Sequence, residues 1–197
     1  MSKDLISVAG EILAAPLEAT RARLRELLMQ RAVKTGDFTL ASGRKSTYYV
    51  DGKMVTLEPE GLFCLSRLML DILHQNGINA AGGPTLGADP IVGGISLLSH
   101  LVGPPISAFI VRKEAKGHGT GKRIEGQIPD AARVAIVEDV VTTGASLLRA
   151  VEAVKEETTG QVILVSVLLD REEGSTEAIR DAGLNFFPLF TKSELGL

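Results

Sequence analysis

The sequence predicts an α/β fold with a central, mostly parallel sheet flanked by helices. Short apolar runs suited to strands alternate with longer segments whose apolar residues recur at helical spacing. The run Val134–Val137 has no polar residue, as expected for a strand covered on both faces. The length of 197 residues suits one sizeable core, so we expect a single domain spanning residues 1–197.

The N-terminal part predicts a helix followed by a hairpin. Ala19–Val33 carries leucines at helical spacing among arginines, a pattern typical of an amphipathic helix. Phe38–Leu40 and Thr47–Val50 suit strands, and the Ser-Gly pair at 42–43 suits the turn between them.

The rest of the chain alternates between the two kinds of element. The expected strands are Asn79–Gly82, Ile106–Val111, Val134–Val137, Val162–Leu169 and Asn185–Leu189. The expected helices are Gly61–Asn76, Asp89–Leu101, Ala145–Glu157 and Ser175–Ala182. Helical crossovers between strands indicate a parallel sheet.

Residues 112–130 predict a long mobile loop between two core strands, because they are rich in glycine and poor in apolar residues. Residues 112–123 carry five Lys and Arg against one Glu, although the whole chain has a net charge of −3. Cationic side chains on such a loop can close over an anionic leaving group and exclude water.

Composition argues against several other classes of protein. The net charge of −3 and the pI near 5.7 give no broad surface for nucleic acid or anionic membrane. Cys64 is the only cysteine, so we expect a buried thiol, no disulfide within the chain and no metal cluster. Prolines and charges interrupt the apolar stretches, and we expect a soluble, cytoplasmic protein.

Residues 134–146 combine a strand, an acidic pair, a hydroxyl-and-glycine turn and a helix start. Glu138 and Asp139 follow the strand, at the sheet edge where α/β proteins bind ligands, and can accept hydrogen bonds from vicinal hydroxyls. The turn Thr142-Thr143-Gly144 brings hydroxyls, free backbone N–H groups and the positive helix end together. This combination suits a phosphorylated ribose and matches neither a Walker P-loop nor a Rossmann turn.

Five stretches carry a family resemblance that covers nearly the whole chain: Phe38–Tyr49, Gly83–Pro90, Arg112–Gly119, Glu138–Ser146 and Asp170–Gly174. They resemble the orotate phosphoribosyltransferases. These enzymes are type I phosphoribosyltransferases that convert orotate and phosphoribosyl pyrophosphate (PRPP) into orotidine 5′-monophosphate and pyrophosphate. The resemblance implies their fold, with a small hood formed by about residues 1–60 and the C-terminal end.

The same resemblance assigns the PRPP site. The implied PRPP-binding residues are Arg112, Lys113, Lys116, His118, Glu138, Asp139, Val140, Val141, Thr142, Thr143, Gly144, Ala145 and Ser146. Lys113, Lys116 and His118 are the implied catalytic residues, and Lys116 is our first choice for neutralising or protonating the pyrophosphate. We expect Mg²⁺ as the cofactor, held mainly through PRPP oxygens and without a dedicated set of protein ligands.

For orotate, the resemblance implies binding by Thr142, Arg171, Tyr48 and Tyr49. A guanidinium binds a planar carboxylate through two parallel hydrogen bonds, so Arg171 would distinguish orotate from bases without that group. Two plainer interpretations stay open at this point. Arg171 would otherwise form a surface ion pair with Glu172 or Glu173, and the tyrosines would be residues of a strand core.

The chain departs from the family pattern at two positions. Some members have lysines where this sequence has Ala41 and Gly87, so those two phosphate contacts are not carried over. Lys45 is one candidate replacement, and backbone N–H groups of residues 86–89 are another.

The resemblance also implies a homodimer in which loop 112–123 reaches the partner's active site. Two other functions stay open, because the signature at 138–146 indicates PRPP and not the base. One is a purine salvage phosphoribosyltransferase, and the other is a PRPP-sensing regulator of transcription. Arg171 and the cationic loop favour orotate, and the short acidic chain has no obvious nucleic-acid-binding segment.

Overall fold

A mixed α/β architecture is observed in a computed structural model of the chain, which describes residues 13–39, 45–114 and 121–197. The helices are α1 (Leu17–Leu27), α2 (Lys53–Thr56), α3 (Pro59–Gln75), α4 (Ala88–Val102), α5 (Ala145–Glu157), α6 (Ser175–Asp181) and α7 (Lys192–Leu195). The strands are β1 (Val33–Thr39), β2 (Lys45–Val50), β3 (Ala80–Pro84), β4 (Ser107–Val111), β5 (Ile124–Gly126), β6 (Arg133–Val141), β7 (Gln161–Asp170) and β8 (Asn185–Thr191).

Six of the strands form one sheet in the order β5-β4-β3-β6-β7-β8. All neighbouring pairs are parallel except β4 and β5, which are antiparallel. The α/β fold with a mostly parallel sheet is therefore confirmed. In such a sheet the carboxyl ends of the parallel strands lie along one edge, which positions the ends of β3, β4, β6 and β7 near one another.

The sheet is covered on both faces, as the apolar run of β6 predicts. Ala135 and Val137 belong to the hydrophobic cluster that includes the buried faces of α3 and α4. Val134 and Ile136 belong to a second cluster, which includes the buried residues of α5. Alternate residues of one strand therefore enter opposite cores, and this double burial fixes the direction in which each β6 side chain points.

The N-terminal helix packs against the C-terminal end of the chain. Arg21 donates a hydrogen bond of 2.8 Å to the Leu189 carbonyl, pairs with Glu194 at 2.5 Å and stacks over Phe190. After α1, a short π-helical turn (Leu28–Ala32) leads into an antiparallel hairpin of β1 and β2. The hairpin's turn at 42–43 lies outside the described residues.

Three expectations about element limits are corrected by the structure. The helix expected over Ala19–Val33 runs from Leu17 to Leu27, continues as the π-helical turn and gives way to β1 at Val33. The strand expected to end at Val137 continues to Val141, because β7 pairs with it up to Asp170. Glu138 and Asp139 therefore lie within β6, at a level where the pairing with β3 has ended at Ile136. The segment expected to be one long loop, 112–130, contains the short strand β5.

Cys64 is buried in α3, as expected, and burial raises the pKa of its thiol. Within residues 13–39, 45–114 and 121–197, no helix has the length and hydrophobicity required to cross a membrane.

Candidate active site

The acidic pair of β6 presents two carboxylates with different surroundings. Glu138 is half-buried, and its carboxylate accepts a hydrogen bond of 2.8 Å from the Ser146 hydroxyl. Burial raises the pKa of Glu138 to about 7, the charge of Asp139 adds to the rise, and the Ser146 hydrogen bond opposes it. Glu138 is therefore poised to change charge near neutral pH.

Asp139 is buried and contacted on several sides. One of its carboxylate oxygens accepts a 2.8 Å hydrogen bond from the backbone N–H of Val140. The other accepts a hydrogen bond of 3.3 Å from the ammonium of Lys53, at the start of α2. A buried carboxylate needs such partners to remain charged, so the structure provides a preformed anionic group facing the sheet edge.

The turn after β6 begins helix α5. Gly144 has φ +82°, a left-handed conformation that glycine adopts without strain, and no side chain caps the helix there. Thr142 is half-buried and Thr143 is exposed, while Ala145 and Ser146 are the first two residues of the helix. Hydroxyls and the positive helix end therefore converge at this turn, as the sequence predicts.

A cavity of about 560 Å³ lies beside the acidic pair. The residues that line it are Lys53, Pro84, Thr85, Leu86, Gly87, Val111, Arg112, Lys113, Arg123, Glu138, Asp139, Ser146, Arg149 and Ala150. Its charged groups are two carboxylates and five cations, so the cavity can take a ligand with both hydroxyl groups and several negative charges.

Residues 112–123 form a cationic segment whose two ends lie side by side and are joined by a hydrogen bond. The N–H of Arg112 donates a 2.9 Å hydrogen bond to the carbonyl of Arg123, and the Arg112 guanidinium pairs with Glu125 at 3.0 Å. Arg123 also donates from its backbone and its guanidinium to Glu157 of α5. Both ends therefore lie at the cavity. Lys116 and His118 lie outside the described residues.

The expected base-binding residues lie next to the signature turn. The N–H of Arg171 donates a 3.0 Å hydrogen bond to the carbonyl of Val141, which immediately precedes Thr142. The Arg171 guanidinium lies 5.1 Å from the centre of the Tyr48 ring and pairs with Glu173 at 3.1 Å. The structure thus brings Arg171 and Tyr48 together near Thr142, and it also contains the ion pair considered as the alternative role of Arg171.

Tyr48 and Tyr49 point to opposite sides of β2. Tyr48 is buried, whereas Tyr49 is 42% exposed and its ring centre lies 5.8 Å from that of Phe38. Lys192, at the start of α7, also lies over the Tyr48 ring at 5.7 Å. Of the two tyrosines, only Tyr48 contacts Arg171 in the structure.

Sequence reasoning missed three cations near these groups: Lys53, Arg149 and Lys192. Lys53 comes shortly after β2, and the preceding Gly52 was the only local signal for a close approach. Arg149 lies one turn into α5, where a solvated helical face is the ordinary interpretation. Lys192 contacts Tyr48 only through the folding of the C-terminal end.

The doubly covered parallel sheet and its acidic strand–turn–helix define a type I phosphoribosyltransferase, and relatives agree with this class. No family model matches the chain. It is 45% identical over 183 residues to the orotate phosphoribosyltransferase of Nostoc sp., an alignment that covers 92% of this chain and 87% of the relative. The chain belongs to the orotate phosphoribosyltransferase family.

Solved structures from Mycobacterium tuberculosis agree with this assignment. Its orotate phosphoribosyltransferase in complex with Fe(III) dicitrate superposes with a TM-score of 0.80 at 42% identity. That alignment covers 90% of this chain and 99% of the other. The complex with PRPP gives a TM-score of 0.76 at 38% identity and the same coverage.

Proposed function

We propose that this protein transfers the 5-phosphoribosyl group from PRPP to orotate, giving orotidine 5′-monophosphate and pyrophosphate, a step of pyrimidine biosynthesis. The observation that carries the proposal is the acidic pair of β6 beside the α5 helix start, with Arg171 immediately next to the turn. Membership of the orotate phosphoribosyltransferase family supports the same reaction. The enzyme is accordingly a pentosyltransferase, one of the glycosyltransferases.

In the proposed PRPP complex, the 5′-phosphate lies at the turn of residues 142–146. Backbone N–H groups and hydroxyls there suit a phosphate, because they carry donors and the positive end of the helix dipole. Glu138 and Asp139 accept hydrogen bonds from the ribose hydroxyls. Val140 and Val141 connect these two groups along β6, so the distance between phosphate and hydroxyl contacts is set by the strand.

The pyrophosphate then occupies the cavity near Arg112 and Lys113, with Lys116 and His118 as the further proposed contacts. The orotate ring nitrogen gives up its proton and forms a bond to the anomeric carbon, and the bond from that carbon to the pyrophosphate oxygen breaks. Its electron pair leaves with the pyrophosphate. The released proton passes to solvent or to the departing pyrophosphate. Cations stabilise the charge that develops there, and Lys116 is the first choice for neutralising or protonating it.

Orotate is proposed to bind between Arg171, Tyr48 and Thr142, with Tyr49 at the outer side of the strand. The Arg171 guanidinium would exchange its contact with Glu173 for the orotate carboxylate. A planar guanidinium can form two parallel hydrogen bonds with that carboxylate, which hypoxanthine and uracil do not have. This geometry favours orotate over a purine base.

Mg²⁺ is proposed as the cofactor. In the part of the chain that the structure describes, no three His, Cys, Asp or Glu side chains gather into a metal site. The carboxylates of the acidic pair are one donor set nearby, but Ser146 and Lys53 already contact them. The ion would therefore be held mainly by PRPP oxygens, and it would supply charge neutralisation to the pyrophosphate.

We also propose a cytoplasmic homodimer in which the segment 112–123 reaches the partner's active site. The hydrogen bond between Arg112 and Arg123 supports this arrangement, because it keeps both ends of the segment together at the cavity. The proposed partners are therefore PRPP, orotate and a second copy of the chain, with no nucleic acid or membrane.

Absorbance assays with orotate, PRPP and Mg²⁺ test the reaction. We expect orotate to be consumed only when PRPP is present, and hypoxanthine to remain unchanged in a parallel reaction. Turnover of hypoxanthine without orotate would identify a purine salvage enzyme. PRPP binding without turnover of either base would favour the PRPP-sensing regulator, which an electrophoretic mobility shift with DNA or RNA would then examine.

A further inference from the structure

Lys53 is a cation of the cavity that belongs neither to the signature turn nor to the loop. Its ammonium lies 3.3 Å from one oxygen of Asp139 and 3.8 Å from Asp51. The Lys53 side chain is 44% exposed, whereas that of Asp139 is 8% exposed. Lys53 therefore holds a buried carboxylate while its own charge faces the cavity.

Two glycines leave no room for another side chain beside Asp139. A Cβ atom added to Gly52 would lie 2.8 Å from the Asp139 carboxylate, and one added to Gly87 would lie 2.5 Å from its other oxygen. Both distances are shorter than van der Waals contact permits. A lysine at position 87 would thus displace Asp139, and the cation at this point of the cavity comes from Lys53 on the opposite side.

We propose that Lys53 is a positioning residue for phosphoribosyl transfer, which holds Asp139 in the orientation that accepts the ribose hydroxyls of PRPP. This inference rests on the proposed function, because it concerns the same substrate. The glycines on two sides, the Val140 N–H and the Lys53 ammonium together fix the Asp139 carboxylate. Loss of the ammonium frees one oxygen of that carboxylate and leaves a buried charge without its partner.

Electrostatic contacts link Lys53 to Glu138 as well. Glu138 faces Asp139 on its own strand, Ser146 and Arg149 on α5, and Lys53 on α2. The cavity also contains Arg112, Lys113 and Arg123 from the ends of the cationic segment. Lys53 and Arg149 lower the pKa of Glu138, against the larger rise caused by burial. Replacing Lys53 with a neutral residue therefore raises the pKa of Glu138 further.

Lys53 itself stays charged in this environment. Burial lowers the pKa of Lys53, but the charge of Asp139 and the hydrogen bond to it outweigh that effect, so the pKa lies above its ordinary value. Lys53 therefore keeps its positive charge beside Asp139, with its ammonium 3.3 Å from one carboxylate oxygen.

The test compares Lys53→Met with Lys53→Arg, and with Lys155→Met as a control on the exposed face of α5. We expect Lys53→Met to raise the KM for PRPP about tenfold, the size of one lost charged hydrogen bond. The KM for orotate stays the same, and the acidic limb of the pH profile moves to higher pH. Lys53→Arg is expected to restore the KM for PRPP and the position of the acidic limb, because it keeps a cation at Asp139. Lys155→Met is expected to match the wild type in both.

An unchanged KM for PRPP in Lys53→Met would overturn the inference. An equal increase in the KM for PRPP and for orotate, accompanied by a lower melting temperature, would also overturn it. Lys53→Gln is the second variant, in case the methionine variant does not fold. It is expected to show the same selective increase in the KM for PRPP, and wild-type PRPP affinity in this variant would contradict the proposal.

Calorimetric titration with PRPP separates this inference from the proposed function. Wild-type protein that binds PRPP without consuming orotate would refute the reaction, while the Lys53 variants would still be judged by their PRPP affinity.

Discussion

The hydroxyl of Ser146, in the first turn of α5, donates a 2.8 Å hydrogen bond to the carboxylate of Glu138 on β6. This contact joins the two halves of the candidate PRPP site, the helix start and the acidic pair. It also stabilises the charged form of a carboxylate whose pKa burial raises to about 7. The charge of Glu138 is therefore sensitive to small changes at Ser146.

Ser146→Ala is expected to shift the pH dependence of PRPP use. If the ionised Glu138 accepts the ribose hydroxyls, kcat/KM for PRPP rises as the pH increases through about 7. Loss of the Ser146 hydroxyl raises the pKa of Glu138, so the increase in kcat/KM for PRPP moves to higher pH. Ser146→Thr keeps a hydroxyl and is the matched control. Coincident profiles for the alanine variant and the wild type would argue against a role for the ionised Glu138.

Glu138→Gln is expected to change how stability depends on pH. The pKa of Glu138 lies near 7 in the folded protein and near 4.5 for an ordinary glutamate, so the folded state binds this proton more tightly. By linkage, the contribution of Glu138 to the free energy of unfolding is fully present below pH 4.5 and falls as the pH rises to 7. Relative to the wild type, Glu138→Gln should therefore gain about 3 kcal/mol across this window.

Urea unfolding at several pH values measures that difference. Glu152→Gln, on an exposed position of α5, is the control and should follow the wild type at every pH. A constant difference between Glu138→Gln and the wild type from pH 4.5 to 8 would contradict the raised pKa.

Arg171→Lys is expected to lower kcat/KM for orotate about 100-fold, because lysine keeps the charge but loses the bidentate geometry. The KM for PRPP should change little. Steady-state assays with each substrate varied in turn measure the two effects. Arg180→Lys, at the exposed end of α6, is the control. Equal losses for orotate and PRPP would mean that Arg171 serves the fold of this edge and not the recognition of the base.

Gly144→Ala is expected to weaken PRPP binding in addition to destabilising the protein. The left-handed conformation of Gly144 costs a residue with a Cβ atom about 1 kcal/mol, and helix α5 would begin in a different geometry. Gly183→Ala is the control, because Gly183 has a similar positive φ and lies away from the cavity. Both variants should lose similar stability in urea, but only Gly144→Ala should lose PRPP affinity. Equal PRPP affinities would show that the turn does not hold the phosphate.

Mixed dimers test the shared site. Subunits with Lys116→Ala and subunits with Arg171→Ala are each expected to be inactive. If the segment 112–123 acts on the partner's active site, mixed dimers regain about one functional site, because one of the two sites then has both residues intact. Activity that stays absent after subunit exchange, verified by differently tagged chains, would place Lys116 and Arg171 of one site in the same subunit.

The sheet, its order of helices and the acidic strand–turn–helix were predictable from the sequence, because burial on both faces leaves an uninterrupted apolar run. The end of β6 was not, since the polar Glu138 and Asp139 look like the end of a strand until the pairing with β7 is known. Lys53 was also missed. Its partner Asp139 is distant in sequence, and only tertiary packing brings the two together. Contacts between distant segments leave no periodic pattern.

The fastened ends of the cationic segment suggest how the enzyme tolerates variation. Since Arg112 and Arg123 are joined by a backbone hydrogen bond, the chain leaves the sheet and returns to it at one place. Insertions and deletions between them need not disturb β4, β5 or the anchoring contact of Arg123 with Glu157. A change of length between these two anchors therefore leaves the sheet and α5 in place, so the scaffold can stay the same while this part of the sequence varies.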